Sequence, residues 1–323
     1  MATPMALDGV THRTLEVNGI KIHVAEAGDG SAGSILFLHG FLQLWCSWHH
    51  QLVSLSRLGY RCLAPDLRGY GDSSAPESPS SYTAFHLVGD MVGLLNALSL
   101  PQVFVVGQGW GALLAWQMCA FRPERVRALV NMSVAFMPRN PAMRPLEAFR
   151  RIYGDGYYLV RMQDPGTMEA EFAQMETKFI IKKLLTTLDT GASSFSKEWY
   201  GTTEEVIPLP SWLSEEYVGH VAAKFDETGF SGAMNSSRCL DLNWELMAPW
   251  ASAKVIVPTK FMVGETAMSC KSKAVQKYVL EGDFKGDVPG LEEVVVIAGG
   301  AHYIHLQKAE EVTEHIYNFF KKF

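Results

Sequence analysis

Hydrophobic and polar positions along this chain follow two periods, one typical of strands and one typical of helices. Residues 13–27 alternate apolar and polar side chains around Asn18-Gly19, which predicts two antiparallel strands joined by a tight turn. Further along, short apolar runs that predict buried strands lie at 34–38, 61–65, 103–106, 126–132, 255–263 and 293–297. Helical spacing occurs between them, at about 82–98 and 112–118, and again at about 310–321. Strands that alternate with helices predict a mostly parallel sheet with helices on both faces.

The middle of the chain has a different pattern. From about Phe136 to Leu240 the strand signals fade, and helical stretches separated by proline and glycine take over, such as 169–183 and 214–228. This pattern is typical of a helical insertion that covers a site on the sheet. We therefore predict an α/β core formed by 1–136 and 241–323, with a helical cap at 137–240.

The strand predicted at 103–106 leads into Gly107-Gln108-Gly109-Trp110-Gly111, and a helical stretch follows at once. A nucleophile flanked by small residues, between a strand and a helix, is the sequence pattern of a nucleophile elbow. Ligands of parallel sheets bind beyond the carboxyl ends of the strands, which is where Gly109 should lie. Glycine has no side-chain atom that could attack a substrate, so the pattern predicts the turn without its nucleophile.

Composition excludes some classes of partner. The 323 residues carry a formal net charge of −6, which argues against nucleic acid and against anionic membranes as partners. No apolar run approaches the ~20 residues of a membrane span, and the first residues lack the features of a signal peptide. The five cysteines are scattered without metal-ligand spacing, which favours reduced thiols in a cytoplasmic protein. We expect no metal and no cofactor.

Several motifs together resemble the plant soluble epoxide hydrolases, a branch of the α/β-hydrolases that carries a cap. The resemblance covers nearly the whole chain and implies an α/β-hydrolase fold: a mostly parallel central sheet flanked by helices, with an inserted helical cap. The stretches that carry it are His39-Gly40-Phe41, 44–48, 64–73, Trp110-Gly111-Ala112, Phe121-Arg122-Pro123, 240–246 and Gly300-Ala301-His302-Tyr303.

In that family an aspartate at the elbow attacks the epoxide, and a histidine oriented by a second acid activates water to hydrolyse the resulting ester. The resemblance places the attacking residue at Gly109, the orienting acid at Ala267 and the base at His302. Gln108 stands where a histidine usually precedes the nucleophile. Two cap tyrosines donate hydrogen bonds to the epoxide oxygen in the family. One maps to Tyr158, whereas the other maps to Ser237, in the run Asn235-Ser236-Ser237-Arg238, and Leu42 replaces the proline of the HGxP turn.

Other groups could supply part of what is missing. Glu265 is a candidate substitute for the orienting acid, whereas Asn131 and Ser133, at the alternative acid position, are not carboxylates. The backbone amides of Phe41 and Trp110 should form an oxyanion hole because they do not depend on side chains. Near neutral pH, His302 could transfer protons and Tyr158 could orient a ligand. The residues expected to contact a ligand are Gln108, Gly109, Trp48, Ser236, Ser237, Ala267 and Tyr303.

Three functions remain open at this point. The first is an enzyme that performs non-covalent acid–base chemistry, such as cyclisation, isomerisation or elimination, on an apolar small molecule in plant specialised metabolism. The second is a small-molecule binding protein or receptor without turnover. The third is residual epoxide hydrolysis by water that His302 activates directly. Either a monomer or a homodimer is compatible with the sequence.

Overall fold

The computed structural model describes residues 7–190, 206–267 and 273–323. Its centre is an eight-stranded sheet with the order β1-β2-β4-β3-β5-β6-β7-β8. The β1–β2 and β2–β4 pairs are antiparallel and all other pairs are parallel, which confirms the predicted mostly parallel sheet. The strands are β1 (Val10–Val17), β2 (Ile20–Ala27), β3 (Gly33–Leu38), β4 (Tyr60–Pro65), β5 (Val103–Gln108), β6 (Val126–Met132), β7 (Thr259–Gly264) and β8 (Leu291–Ile297).

Helices cover the sheet and fill the segment between β6 and β7. Those before β7 are α1 (His49–Ser56), α2 (Ala84–Ala97), α3 (Trp110–Phe121), α4 (Pro145–Tyr153), α5 (Tyr158–Arg161), α6 (Thr167–Phe172), α7 (Thr177–Thr190), α8 (Glu215–Thr228), α9 (Ser231–Arg238) and α10 (Leu240–Leu246). Those after β7 are α11 (Lys273–Leu280), α12 (Asp283–Asp287), α13 (Ile304–Gln307) and α14 (Ala309–Phe320). Short 3₁₀ turns occur at Trp45–Trp48, Pro79–Tyr82, Pro123–Arg125 and Ala248–Trp250.

The first two strands form the hairpin that the sequence predicts. Both turn residues adopt positive φ, +49° at Asn18 and +79° at Gly19. Positive φ at both central positions is the geometry of a type I′ turn, whose twist matches that of the strands it joins. The turn therefore sets the register in which Val17 pairs with Ile20.

Two of the strands that lead to the site are buried along their whole length. Every residue of β5 and of β7 is buried, as expected for central parallel strands covered on both faces. Both strands end at the same edge of the sheet, and so do β6 and β8. Residues that follow these strands in the sequence are therefore brought together in space.

The described part of the segment between β6 and β7 contains helices and no strands. It packs closely on the core: a Cβ added to Gly69 would lie 2.6 Å from the Gly232 carbonyl oxygen of α9. The Tyr70 hydroxyl donates to the Ala233 carbonyl at 3.3 Å, and Lys224 Nζ lies 2.7 Å from Asp72 Oδ1. The helical insertion is thus present, while its limits at 137 and 240 remain a prediction.

Two expectations from composition can be compared with these residues. Across the described ranges, no helix is both long and apolar enough to cross a membrane. Cys46, Cys62, Cys119 and Cys239 are all buried free thiols. Cys270 lies outside the described residues.

Candidate active site

The turn between β5 and α3 has the geometry of an elbow. Gly109 adopts φ +58° and ψ −119° and precedes the first residue of the helix. Its neighbours must be small: a Cβ on Gly111 would lie 2.0 Å from the Leu38 carbonyl oxygen, and one on Gly107 would lie 2.7 Å from the Gly111 carbonyl oxygen. Residues other than glycine adopt such a positive φ only at a cost of about 1–3 kcal/mol. Glycine at position 109 therefore keeps the sharp turn without that strain.

The elbow faces a histidine. A Cβ added to Gly109 would lie 3.5 Å from His302 Nε2 and 3.6 Å from the Gly40 Cα, and no other atom of the described residues outside its chain neighbours comes within 4 Å. His302 belongs to the loop after β8, and its ring meets the Tyr303 ring edge-on at 4.9 Å. The structure thus brings the position of the expected nucleophile and the expected base together.

The imidazole of His302 makes no hydrogen bond within the described ranges, and no ion pair involves it there. Burial lowers its pKa from 6.5 to about 4, and desolvation is the only cause. The ring is therefore neutral near pH 7, with a nitrogen directed at the elbow that can accept a proton.

The backbone of this loop is held more firmly than the ring. The His302 carbonyl accepts hydrogen bonds from Gln108 Nε2 at 3.1 Å and from Ser133 Oγ at 2.8 Å. The preceding amide, that of Ala301, donates to Gln307 Oε1 at 2.8 Å. Gln108 has no accessible surface, and its side chain holds the loop that carries His302, so its contact with a ligand stays a prediction. No sequence signal points to Ser133 or Gln307 in this role, because each of them bonds to a backbone atom.

None of the expected acid positions places a carboxylate against His302. Glu265 is exposed, and its Oε2 accepts from the Gly299 amide at 2.9 Å. Ala267 is fully buried. Asn131 donates from Nδ2 to the Ala112 carbonyl at 2.9 Å. Glu265 is thus a cap for the loop backbone and does not orient the imidazole.

The turn after β3 carries the first expected oxyanion donor. His39 donates from Nδ1 to the Gly40 carbonyl at 2.9 Å, and its Nε2 accepts from the Leu67 amide at 3.0 Å. The Gly40 amide donates to Gln43 Oε1 at 2.9 Å. Leu42 has φ +53°, a conformation that proline, with φ near −65°, cannot adopt. The turn is therefore ordered by side-chain hydrogen bonds around a leucine in the left-handed region.

The amides of Phe41 and Trp110 are both adjacent to the elbow. Trp110 is the first residue of α3, and Phe41 follows Gly40. Within the described ranges, neither N–H donates to a protein acceptor. Amides at the start of a helix are commonly left for a ligand or water. Both groups remain candidates for an oxyanion hole.

Behind the turn lies another buried histidine, His305, which sequence reasoning missed. His305 is fully buried, and the Gln43 amide lies 3.4 Å from its Nε2. Because Gln43 Oε1 is committed to the Gly40 amide, its Nε2 is the group that faces His305 as donor. The side chain of Gln43 therefore links the Phe41 turn to helix α13, which directly follows the His302 loop.

Tyr158 begins α5 in the helical insertion and is hydrogen-bonded to Tyr157. Burial raises the pKa of Tyr158 to about 12, so the phenol keeps its proton at neutral pH. The hydrogen bond between the two phenols acts on them in opposite directions. It raises the pKa of Tyr157 and offsets part of the rise in the pKa of Tyr158, as expected when Tyr157 donates and Tyr158 accepts. A phenol that accepts a hydrogen bond is a stronger donor in turn.

Three of the remaining candidates lie in packed surroundings. The Trp48 ring is fully buried against Phe37 and His305, so it differs from the pocket wall expected of it. The Ser237 hydroxyl donates to the Met234 carbonyl at 2.6 Å, and its contact with a ligand stays a prediction. Tyr303 is 3% exposed and packs on the His302 ring. Ser236 is half-buried in α9.

The elbow has a proton acceptor facing it and two backbone donors beside it, while the phenol of Tyr158 belongs to helix α5. Within the described ranges, the atoms that lie within 4 Å of the Gly109 Cβ position, chain neighbours aside, are His302 Nε2 and the Gly40 Cα. Such a set can move protons and stabilise negative charge on an oxygen atom.

Comparisons with known proteins agree with this fold. The model of the alpha/beta hydrolase fold family matches residues 33–309. The chain is 52% identical over 318 residues to "Epoxide hydrolase 1" of Siraitia grosvenorii, which covers 98% of this chain and 100% of that protein. It is 31% identical over 320 residues to "Epoxide hydrolase A" of Mycobacterium tuberculosis, covering 96% of this chain and 97% of that one.

Solved structures give the same result. An epoxide hydrolase from Vigna radiata superposes with a TM-score of 0.92 at 51% identity, covering 98% of this chain and 100% of that chain. Potato (Solanum tuberosum) epoxide hydrolase I superposes with a TM-score of 0.91 at 49% identity, covering 97% and 100%. The chain therefore belongs to the α/β-hydrolase superfamily and, within it, resembles the plant epoxide hydrolases.

Proposed function

We propose that this protein catalyses non-covalent acid–base chemistry, namely cyclisation, isomerisation or elimination, on an apolar small molecule held beneath the helical cap at 137–240. The observation that carries the proposal is that His302 lies opposite a glycine, Gly109, at the elbow. The base faces the elbow at 3.5 Å from the Cβ position, and the elbow has no side chain that could form an ester.

The covalent route of the family needs three kinds of group, and each is altered here. Attack needs a carboxylate where Gly109 stands, orientation of the base needs an acid where Ala267 stands, and activation of the epoxide uses a tyrosine where Ser237 stands. Nucleophile and base act as a unit, so the loss of one removes most of the catalytic effect of the other. We infer that the triad is degenerate.

The groups that remain suit a different reaction. A neutral imidazole in a desolvated site can take a proton from carbon or oxygen and return it elsewhere. The amides of Phe41 and Trp110 would stabilise charge that develops on oxygen, and Tyr158 would hold the substrate by donating a hydrogen bond. None of these roles requires a covalent intermediate.

The proposal can be tested by incubating the wild type and His302→Ala with two pools of apolar plant metabolites. One pool is rich in epoxides and the other in unsaturated carbonyl compounds. We expect a product with the mass of its substrate, or with the mass reduced by a small leaving group, formed by the wild type only. Products that gain one water would overturn the proposal. Tight binding without any product would also overturn it, and would favour a binding protein or receptor.

A further inference from the structure

We infer that His305 is a positioning residue, which acts through Gln43 to hold the turn that carries the backbone donor of Phe41. The Nε2 of its ring accepts a hydrogen bond from the Gln43 amide, and the oxygen of the same amide binds the Gly40 N–H. This inference rests on the proposed function, because it assigns the residue that keeps one of the two backbone donors in place.

The turn that includes Gly40 forms one side of the elbow. The Gly40 Cα lies 3.6 Å from the Gly109 Cβ position. Gly40 is held at both ends: its N–H donates to Gln43 Oε1 at 2.9 Å, and its carbonyl accepts from His39 Nδ1 at 2.9 Å. In a planar trans peptide the C=O and the following N–H point in opposite directions. The direction of the Phe41 N–H is therefore set by the bonds that hold Gly40.

The orientation of the Gln43 amide depends on His305. With its oxygen toward the Gly40 N–H, the amide presents its NH₂ group to His305 Nε2 at 3.4 Å, so this nitrogen is an acceptor. If the amide were turned over, its NH₂ group would face the Gly40 N–H, donor against donor. A neutral imidazole has one N–H, so the proton of His305 belongs on Nδ1. An acceptor at Nε2 thus selects the one orientation in which Gln43 can hold the turn.

The His305 ring stays neutral near pH 7, so the acceptor is retained. The ring is fully buried, and burial lowers its pKa well below 6.5. The neighbouring His302, His49 and His50 lower it further, and the centre of the Tyr303 ring lies 6.5 Å from that of His305. Among the described residues, no carboxylate is one of the groups that shift this pKa. A ring in such surroundings offers a lone pair and carries no charge.

The surroundings of His305 fix its ring, and they do so at a cost. The ring packs against Trp48, with 4.6 Å between the ring centres, and the His305 carbonyl accepts from Gln51 Nε2 at 3.0 Å. Its Nδ1 is buried and has no hydrogen-bond partner within the described ranges. A buried N–H without a partner costs about 1–3 kcal/mol, which an apolar side chain of similar size would avoid. The presentation of Nε2 to Gln43 accounts for a polar ring at this position.

The helix that carries His305 also holds the loop of the base. Helix α13 begins two residues after His302, and Gln307 Oε1 accepts from the Ala301 amide at 2.8 Å. One short helix is therefore bonded to the His302 loop at one point and linked to the Phe41 turn at another. It sets the proton acceptor and the backbone donor relative to each other, as a preorganised site requires.

The first test is the position of the proton, read from the ¹⁵N signals of the His305 ring in the wild-type protein between pH 5 and pH 8. We expect Nδ1 to carry the proton and Nε2 to remain an unprotonated acceptor over this whole range. A proton on Nε2, or a ring that titrates in this range, would overturn the inference, since Gln43 would then lose the acceptor that orients it.

The second test compares two variants that place an acceptor at different points. The amide oxygen of His305→Gln can reach the position of Nε2, whereas that of His305→Asn reaches only the position of Nδ1. We expect the Gly40 amide of His305→Asn to exchange with solvent at least about tenfold faster than in the wild type, relative to the Val106 amide of the buried strand β5, which reports overall stability. In His305→Gln the same ratio should stay within about threefold of the wild type.

The donor itself is read from its ¹H–¹⁵N signal. Both variants lack the imidazole, so a difference between them reports the position of the acceptor and not the loss of the ring. We expect the Phe41 signal to differ between His305→Asn and His305→Gln, and the Trp110 signal, from the other side of the elbow, to be the same in both.

Equal changes at Gly40 and Val106 would overturn the inference, because His305 would then contribute only to overall stability. Equal results for the two variants would overturn it as well. If His305→Asn is unfolded, the proton position in the wild type and the exchange ratio of His305→Gln decide. If these measurements fail while compounds are converted at unchanged mass, the inference fails and the proposed function stands. If they succeed while nothing is converted, the proposed function fails and the assignment of His305 to the turn stands.

Discussion

Replacement of His302 by asparagine should make the protein less sensitive to acid. Burial lowers the pKa of His302 from 6.5 to about 4. In the unfolded chain the ring takes up a proton as the pH falls through 6.5, whereas in the folded protein it stays neutral until about pH 4. Between these values the unfolded state binds more protons, so the free energy of unfolding decreases as the pH falls. The difference corresponds to about 3 kcal/mol for this one group.

Urea unfolding of the wild type and of His302→Asn at pH 7.5 and pH 4.5 would measure this effect. The wild type should lose about 2–3 kcal/mol more than the variant between the two pH values. NMR titration of the His302 Cε1 carbon reads the pKa of the ring directly and separates it from other groups. A ring that titrates at or above pH 6.5, or equal acid sensitivity of the two proteins, would refute the reasoning, because it would mean that an anion faces the imidazole.

Three further predictions concern the same site. Gly109→Asp should raise the pKa of His302, as NMR titration would show, yet give no diol from an epoxide, because the other altered positions are unchanged; diol formation would show that glycine alone silences the site. Gln108→Ala and Ser133→Ala should each lower the free energy of unfolding by about 1–2 kcal/mol and broaden the His302 ring signals, since each removes a buried donor to the same carbonyl; denaturation curves that match the wild type would contradict this. Leu42→Pro should lower the stability by about 2 kcal/mol or more, measured by thermal unfolding, because φ is +53° at this position; an unchanged melting temperature would show that the turn has another conformation.

The sequence predicts the scaffold well because the scaffold depends on local patterns. The type I′ turn at Asn18-Gly19 and the strand that leads into Gly109 follow from alternation and turn chemistry, and both are confirmed. The predicted helix at 82–98 is α2 (Ala84–Ala97), where Thr83 caps the first turn. The predicted final helix is α14 (Ala309–Phe320).

The site is predicted only in part, because its contacts join distant segments through backbone atoms. It could be expected from the order of the strands and from the resemblance that His302 lies opposite Gly109. The hydrogen bonds from Gln108 and Ser133 to the His302 carbonyl could not be predicted, since any donor of suitable reach could bond to that oxygen. The position of Glu265 illustrates the same limit: its place two residues before the expected acid position predicts contact with the ring, whereas the exposed side chain bonds to a loop amide.

The claim on which the proposed function depends is that no protein side chain attacks the substrate at the elbow. The most direct measurement is incubation of the purified protein with styrene oxide in water enriched in ¹⁸O, followed by mass spectrometry of the product and of the intact protein. The absence of a labelled diol above the uncatalysed rate, together with an unmodified protein mass, is the result predicted here. Enzyme-dependent formation of labelled diol, or a protein adduct with the mass of the epoxide, would contradict it.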